Sequence, residues 1–95
     1  MTSQEPSQAP SQEKLNRLFW HSRRGMLELD LLLVPFVQEA YPTLAEDDQA
    51  RYEAFITGED QDLFNVLMQS VPPANDDVAR IVRLILDHAG KVKTA

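Results

Sequence analysis

The chain has 95 residues, 43% of them hydrophobic, with one Trp, two Tyr and four Phe, which is enough for one compact core and not for two. Its formal net charge of −6 at pH 7 argues against a nucleic-acid partner, because affinity for a polyanion rests on lysine and arginine. The absence of cysteine excludes a disulfide framework, a thiolate metal site and a cysteine nucleophile.

Residues 1–11 are rich in Ser, Gln and Pro and read as a disordered tail. They lack arginine and include Glu5, unlike a mitochondrial presequence, and they have no apolar stretch for a secretory signal. Residues 12–95 then read as one helical domain of five helices, and no segment shows the period-2 alternation of a half-buried strand. The fold class is therefore all-α, a compact five-helix bundle behind a disordered N-terminal tail.

The first helix begins near Ser11 or Gln12 and turns Leu15, Leu18, Phe19 and Ser22 inward, with Trp20 off that stripe and Gly25 as the stop. The second, from about Met26 to Tyr41, is apolar on more than one side and should be central. Pro35 predicts a kink near Leu31, and Pro42 ends the helix. Its longest apolar run, Leu31 to Val37, is far shorter than the roughly 20 residues that cross a bilayer.

The third helix opens on Thr43-Leu44-Ala45-Glu46, which matches a capping box, and runs to Gly58. Asp60 is placed to cap a short fourth helix that buries Leu63, Phe64, Leu67 and Met68. After Pro72-Pro73, Asn75 caps a fifth helix whose Val78, Ile81, Val82, Ile85, Leu86 and Ala89 form an inward stripe up to a stop at Gly90.

The glycines Gly25, Gly58 and Gly90 all fall at expected helix ends, so none is left for a phosphate-cradling loop. His21 and His88 lack a second ligand at helical spacing, which leaves no metal site. The acidic pairs Asp47-Asp48 and Asp76-Asp77 sit in first helical turns, where negative charge suits the helix dipole. No catalytic residue emerges, and the chain reads as a binding protein rather than an enzyme.

One constellation stands out. Lys14, Arg17, His21 and Arg24 are spaced along one side of the first helix. That stripe ends on Arg24-Gly25, and Glu28 follows in the first turn of the second helix. Helix dipoles and a glycine stop account for Arg24, Gly25 and Glu28 separately, but not for the clustering of both arginines, Arg23 and Arg24, with the off-stripe Trp20 at one corner, since Arg and Trp are favoured binding anchors.

Here the sequence resembles a known family. Arg23-Arg24-Gly25-Met26-Leu27-Glu28-Leu29-Asp30 is similar to the Arg-Gly-x-x-Glu signature, followed by Leu-Asp, of the succinate dehydrogenase FAD assembly factors. Asp60-Gln61-Asp62-Leu63-Phe64 resembles the family's Asp-x-Asp-Leu-aromatic stretch, and Phe36 and Tyr41 stand where the family keeps aromatics. Val66 and Gln61 depart from the pattern, which commonly has tryptophan and proline at those places.

The resemblance, over about residues 12 to 90, implies a protein that binds the flavoprotein subunit of succinate dehydrogenase, and in bacteria often that of fumarate reductase. It implies that this binding promotes covalent attachment of FAD to a subunit histidine. The partner-binding residues it implies are Arg17, Trp20, Arg23, Arg24, Gly25, Glu28 and Asp30. No cofactor is held stably, the FAD being the partner's, and the expected setting is the bacterial cytoplasm, with the free protein a monomer. The alternative is an antitoxin-like binding module that restrains a toxin, since some relatives bear that label.

Overall fold

The computed structural model of the protein describes the backbone of residues 11–93 and the side chains of residues 11–90. The expected tail at residues 1–10 and the last two residues of the helical domain lie outside the described residues. Five α-helices follow in order: α1 (Gln12–Ser22), α2 (Leu27–Pro35), α3 (Glu46–Phe55), α4 (Asp60–Leu67) and α5 (Asp76–Lys93). Among the described residues there is no strand, and no helix is long and apolar enough to cross a membrane.

Helix α2 is the central element. Leu29 and Leu33 are fully buried and share one core with Phe36, Tyr41, Tyr52, Ile56, Ile81 and Ile85, so α1, α4 and α5 all pack around it. Burying a side chain of this size stabilises the fold by about 1.5–3 kcal/mol each. After Pro35 the chain continues as a π-helical segment, Phe36–Ala40, and a 3-10 turn, Tyr41–Thr43. Proline has no N–H to give, and the Phe36 N–H bonds to Leu33 O instead. The Tyr41 N–H then reaches back five residues to Phe36 O. This widened turn sends Phe36, Val37 and Tyr41 into the core together.

Helix ends follow the sequence in two cases and depart from it in three. The Ser11 side chain accepts from the Lys14 N–H at 3.1 Å and the Asn75 side chain from the Val78 N–H at 2.9 Å, both as N-caps. The Thr43 capping box does not form: α3 starts after Ala45, because the 3-10 turn directs the Thr43 hydroxyl to Ala40 O at 2.8 Å. Asp60 is the first residue of α4 rather than its cap. Gly90 does not stop α5, which runs on to Lys93. A glycine inside a helix costs about 1 kcal/mol relative to alanine, and Gly25 is the only described glycine with positive φ.

In α4 Val66 is buried, whereas Met68, expected inside, caps the helix end and is 44% exposed. The chain leaves α4 through a left-handed Gln69 (φ 64°), with Ser70 N–H on Asn65 O and Gln69 N–H on Val66 O. This C-terminal cap turns Met68 outward.

A buried carboxylate clamps α3 to α5. Asp48, 5% exposed, accepts from Arg80 Nε at 3.1 Å, Arg80 Nη2 at 2.9 Å and Arg51 Nη1 at 2.8 Å. The hydrogen bonds from Arg80 hold its carboxyl below the usual carboxylate range, with Arg51 assisting and burial opposing. A depressed folded pKa contributes stability above the unfolded value near 4, and that stability is lost as pH falls through the lower folded value. The melting temperatures of wild type and Asp48→Asn should therefore differ most at pH 7 and converge toward pH 2 in thermal unfolding.

Candidate functional site

Helix α1 ends at Ser22 because Leu18 and Ser22 have reached the core and the next residues must turn toward α2. The Arg23 N–H closes the last turn on Phe19 O at 3.1 Å. Gly25 then adopts φ +81°, a left-handed conformation that residues with a Cβ rarely take. A Cβ there would meet nothing within 4 Å. The backbone angle alone demands the glycine, and the outer side of the corner is open.

Arg24 points inward, its side chain only 10% exposed. Its Nε donates to Asp60 Oδ1 at 2.8 Å, and its Nη1 to His21 O at 2.9 Å and Ile56 O at 2.8 Å. Its Nη2 donates to Gly58 O. Of the five N–H groups of a guanidinium, these bonds use four. The backbone N–H of Arg24 donates to Asp30 Oδ1 at 2.8 Å, which ties the corner to the first turn of α2, where Met26 supplies no side-chain cap. Arg24 thus fastens the α1–α2 corner to the α3–α4 corner.

The other residues of the basic stripe are not gathered into one patch. Lys14 Nζ lies 3.1 Å from Glu53 Oε2, and Arg17 is exposed with Glu13 at 3.9 Å. Arg23 lies over the Trp20 ring, Cζ 5.7 Å from its centroid, and Phe19 meets the same ring edge-on at 5.3 Å. Trp20 is 65% exposed, so this aromatic and cationic pair faces outward beside the corner.

Glu28 lies in the first turn of α2. It is exposed, and no ion pair or side-chain hydrogen bond involves it among the described residues. Leu27 and Leu31, next to it on the outer side of α2, are 67% and 64% exposed. The corner therefore presents an open glycine, a carboxylate unpaired among the described residues and two exposed leucines, all set on an internal staple.

Behind the corner, Ser22 Oγ and Tyr52 OH share a buried hydrogen bond of 2.5 Å that links the end of α1 to α3. Burial pushes the Tyr52 phenol up to about 12, with the Ser22 hydrogen bond and the Arg24 charge working in the other direction. Tyr41, whose hydroxyl donates to Glu53, is raised further by burial and by that carboxylate. Both phenols are neutral at physiological pH. Ser22→Ala should leave a buried hydroxyl without a partner and cost about 1–3 kcal/mol. Adding Tyr52→Phe should recover part of that loss in a double-mutant cycle read by denaturant unfolding.

One member of this arrangement, Asp60, is not read from the sequence as a site residue. Asp60 has no local signal as the counter-ion of Arg24, 36 residues away, because its place at a helix start explains it equally well. Asp30 had a signal only as part of the Leu-Asp that follows Arg-Gly-x-x-Glu. Among the described residues, no three His, Asp or Glu side chains gather where they could hold a metal ion. No glycine of the corner forms a cradle for a dinucleotide phosphate.

Comparison with known proteins places these residues in a wider setting. A family model described as "Flavinator of succinate dehydrogenase" matches residues 16–89. The FAD assembly factor SdhE of Pseudomonas aeruginosa is 60% identical over 74 residues, which cover 78% of this chain and 88% of that protein. The Pseudomonas putida protein of the same name is 57% identical over 76 residues, covering 80% and 90%. That of Colwellia psychrerythraea is 42% identical over 86 residues, covering 90% and 94%.

Proposed function

The chain belongs to the family of succinate dehydrogenase flavinators, and from that premise we propose that it is an assembly factor for FAD attachment. Its client is the flavoprotein subunit of succinate dehydrogenase, which it binds so that FAD becomes covalently attached to a histidine of the subunit. The same surface would serve the flavoprotein of fumarate reductase, and the setting we assign is the bacterial cytoplasm, the relatives named above being proteins of bacteria. The free protein is a monomer in this reading.

The observation that carries the reading is the exposed Glu28, unpaired among the described residues, beside the open Gly25 on a corner fixed from within. A carboxylate without a cation is a binding group waiting for one, and Gly25 lets the partner's backbone approach. Arg24 and Asp30 position the corner rather than touch the partner; Trp20, Arg23 and Arg17 extend the contact along α1. An ordinary interface takes roughly 800 Å² from each partner, which calls for the outer sides of both α1 and α2.

Both reacting groups, the histidine and the FAD, belong to the subunit, so this chain need supply neither nucleophile nor acid. Its contribution is geometry. Holding reacting groups in alignment supplies on the order of 7 kcal/mol of a barrier even in modest intramolecular cases. The direct test mixes the purified subunit, loaded with FAD but not yet covalently modified, with this protein. Acid-stable flavin should accumulate faster as the protein is added, and an unchanged rate would contradict the reading.

A further inference from the structure

A groove of about 490 Å³ runs from the corner along α2 toward α5, with Leu32, Pro35 and Ala89 among its lining and Glu28, Met68 and His88 at its edges. Leu31, one turn beyond Leu27, also lines it. We propose that this groove receives an apolar segment of the flavoprotein subunit that carries a lysine or arginine opposite Glu28. The inference rests on the function proposed above and adds the chemistry of what the partner inserts.

Three observations carry it. Of the large apolar side chains left exposed among the described residues, Leu31 and Met68 line this groove, and Leu27 precedes its Glu28 in the chain. Clustered exposure of this kind marks an interaction surface, whereas single exposed apolar residues need no explanation. The groove also holds one carboxylate, Glu28, which has no ion-pair partner among the described residues, while His88 Nε2 is held at 3.0 Å by Glu39. Finally, the groove begins at Glu28, which makes it continuous with the open side of Gly25.

A second copy of this chain is a poor occupant. Each copy has a formal charge of −6, and it would bring a net excess of acids to a groove that already holds Glu28. A basic, apolar segment satisfies both features at once. Leucines at i and i+4 form a ridge against which such a segment can lie.

The experiment measures affinity for the purified flavoprotein subunit with wild type, Leu31→Gln, Met68→Gln and Glu28→Gln, and with Val71→Gln as an exposed control outside the groove. Unchanged melting temperatures establish that each variant is folded. Leu31→Gln and Met68→Gln should each weaken binding by about tenfold or more, as truncated interface anchors do. Glu28→Gln should flatten the salt dependence of binding, and Val71→Gln should bind as wild type does.

If the wild type binds while both groove variants bind equally well, the groove proposal is overturned and the proposed function stands. If the wild type does not bind the subunit, both are overturned. A wild-type homodimer in sedimentation that Leu31→Gln dissociates would assign the groove to a second copy and also overturn the proposal.

Discussion

Arg24→Ala is expected to lower the melting temperature by roughly 12 °C or more, and to remove activity as a consequence of lost structure. The change strands the Ile56 and Gly58 carbonyls and the Asp60 carboxylate, which meet at one guanidinium. Breaking a buried charge pair by removing one partner costs about 3–5 kcal/mol. Asp60 is 43% exposed, so water recovers part of its pairing and the lower end applies. In a domain of this size each kcal/mol shifts the midpoint by about 4–8 °C. Arg24→Lys should recover only a fraction, because an ammonium is a point charge that cannot span the acceptors of a planar fork. Thermal unfolding followed by helical circular dichroism reads both variants.

Glu28→Ala is expected to do the reverse: leave the fold intact and disable binding. Its carboxylate makes no internal contact among the described residues, and its only intramolecular benefit is to the α2 dipole, worth about 0.3–1 kcal/mol. If Glu28 meets a cation in a desolvated interface, truncation costs about 2–5 kcal/mol in affinity, which is roughly 30-fold to several thousand-fold in Kd. The contrast between the two variants separates the residue that builds the corner from the residue that uses it. Titration calorimetry against the flavoprotein subunit measures the second effect.

Much of the fold was legible because its punctuation is local. Ser11, Asn75 and the Pro72-Pro73 break act within a turn of themselves, and the apolar stripes of α1 and α5 follow from spacing alone. The departures arise where a neighbour changes the local rule. Pro42 draws Thr43 into a 3-10 turn and takes its hydroxyl away from the start of α3. Pro35, expected only to kink the helix near Leu31, is followed by a π-helical segment over Phe36–Ala40. Gly90, where an added Cβ would meet nothing within 4 Å, is not among the glycines with positive φ, and α5 passes through it.

The candidate site was legible as a location and less so as a division of labour. Gly25 and Glu28 stand open at the corner as their spacing implied. Arg24, adjacent to both, is turned inward because acceptors from residues 56, 58 and 60 converge on it, and no window of sequence around residue 24 contains them. Leu27 and Leu31 were read as part of an apolar helix. Only the packed structure shows that they lie on its uncovered side.

The central claim is that this chain promotes covalent attachment of FAD to the flavoprotein subunit through the Glu28 corner. The most direct measurement expresses that subunit alone, with the wild-type protein, and with Glu28→Ala, and then reads flavin fluorescence in a denaturing gel, where only covalent flavin remains. The account predicts strong fluorescence with the wild type and little in the other two lanes, with the variant still folded. Equal fluorescence in all three lanes would contradict it and leave the antitoxin-like binding module as the better reading.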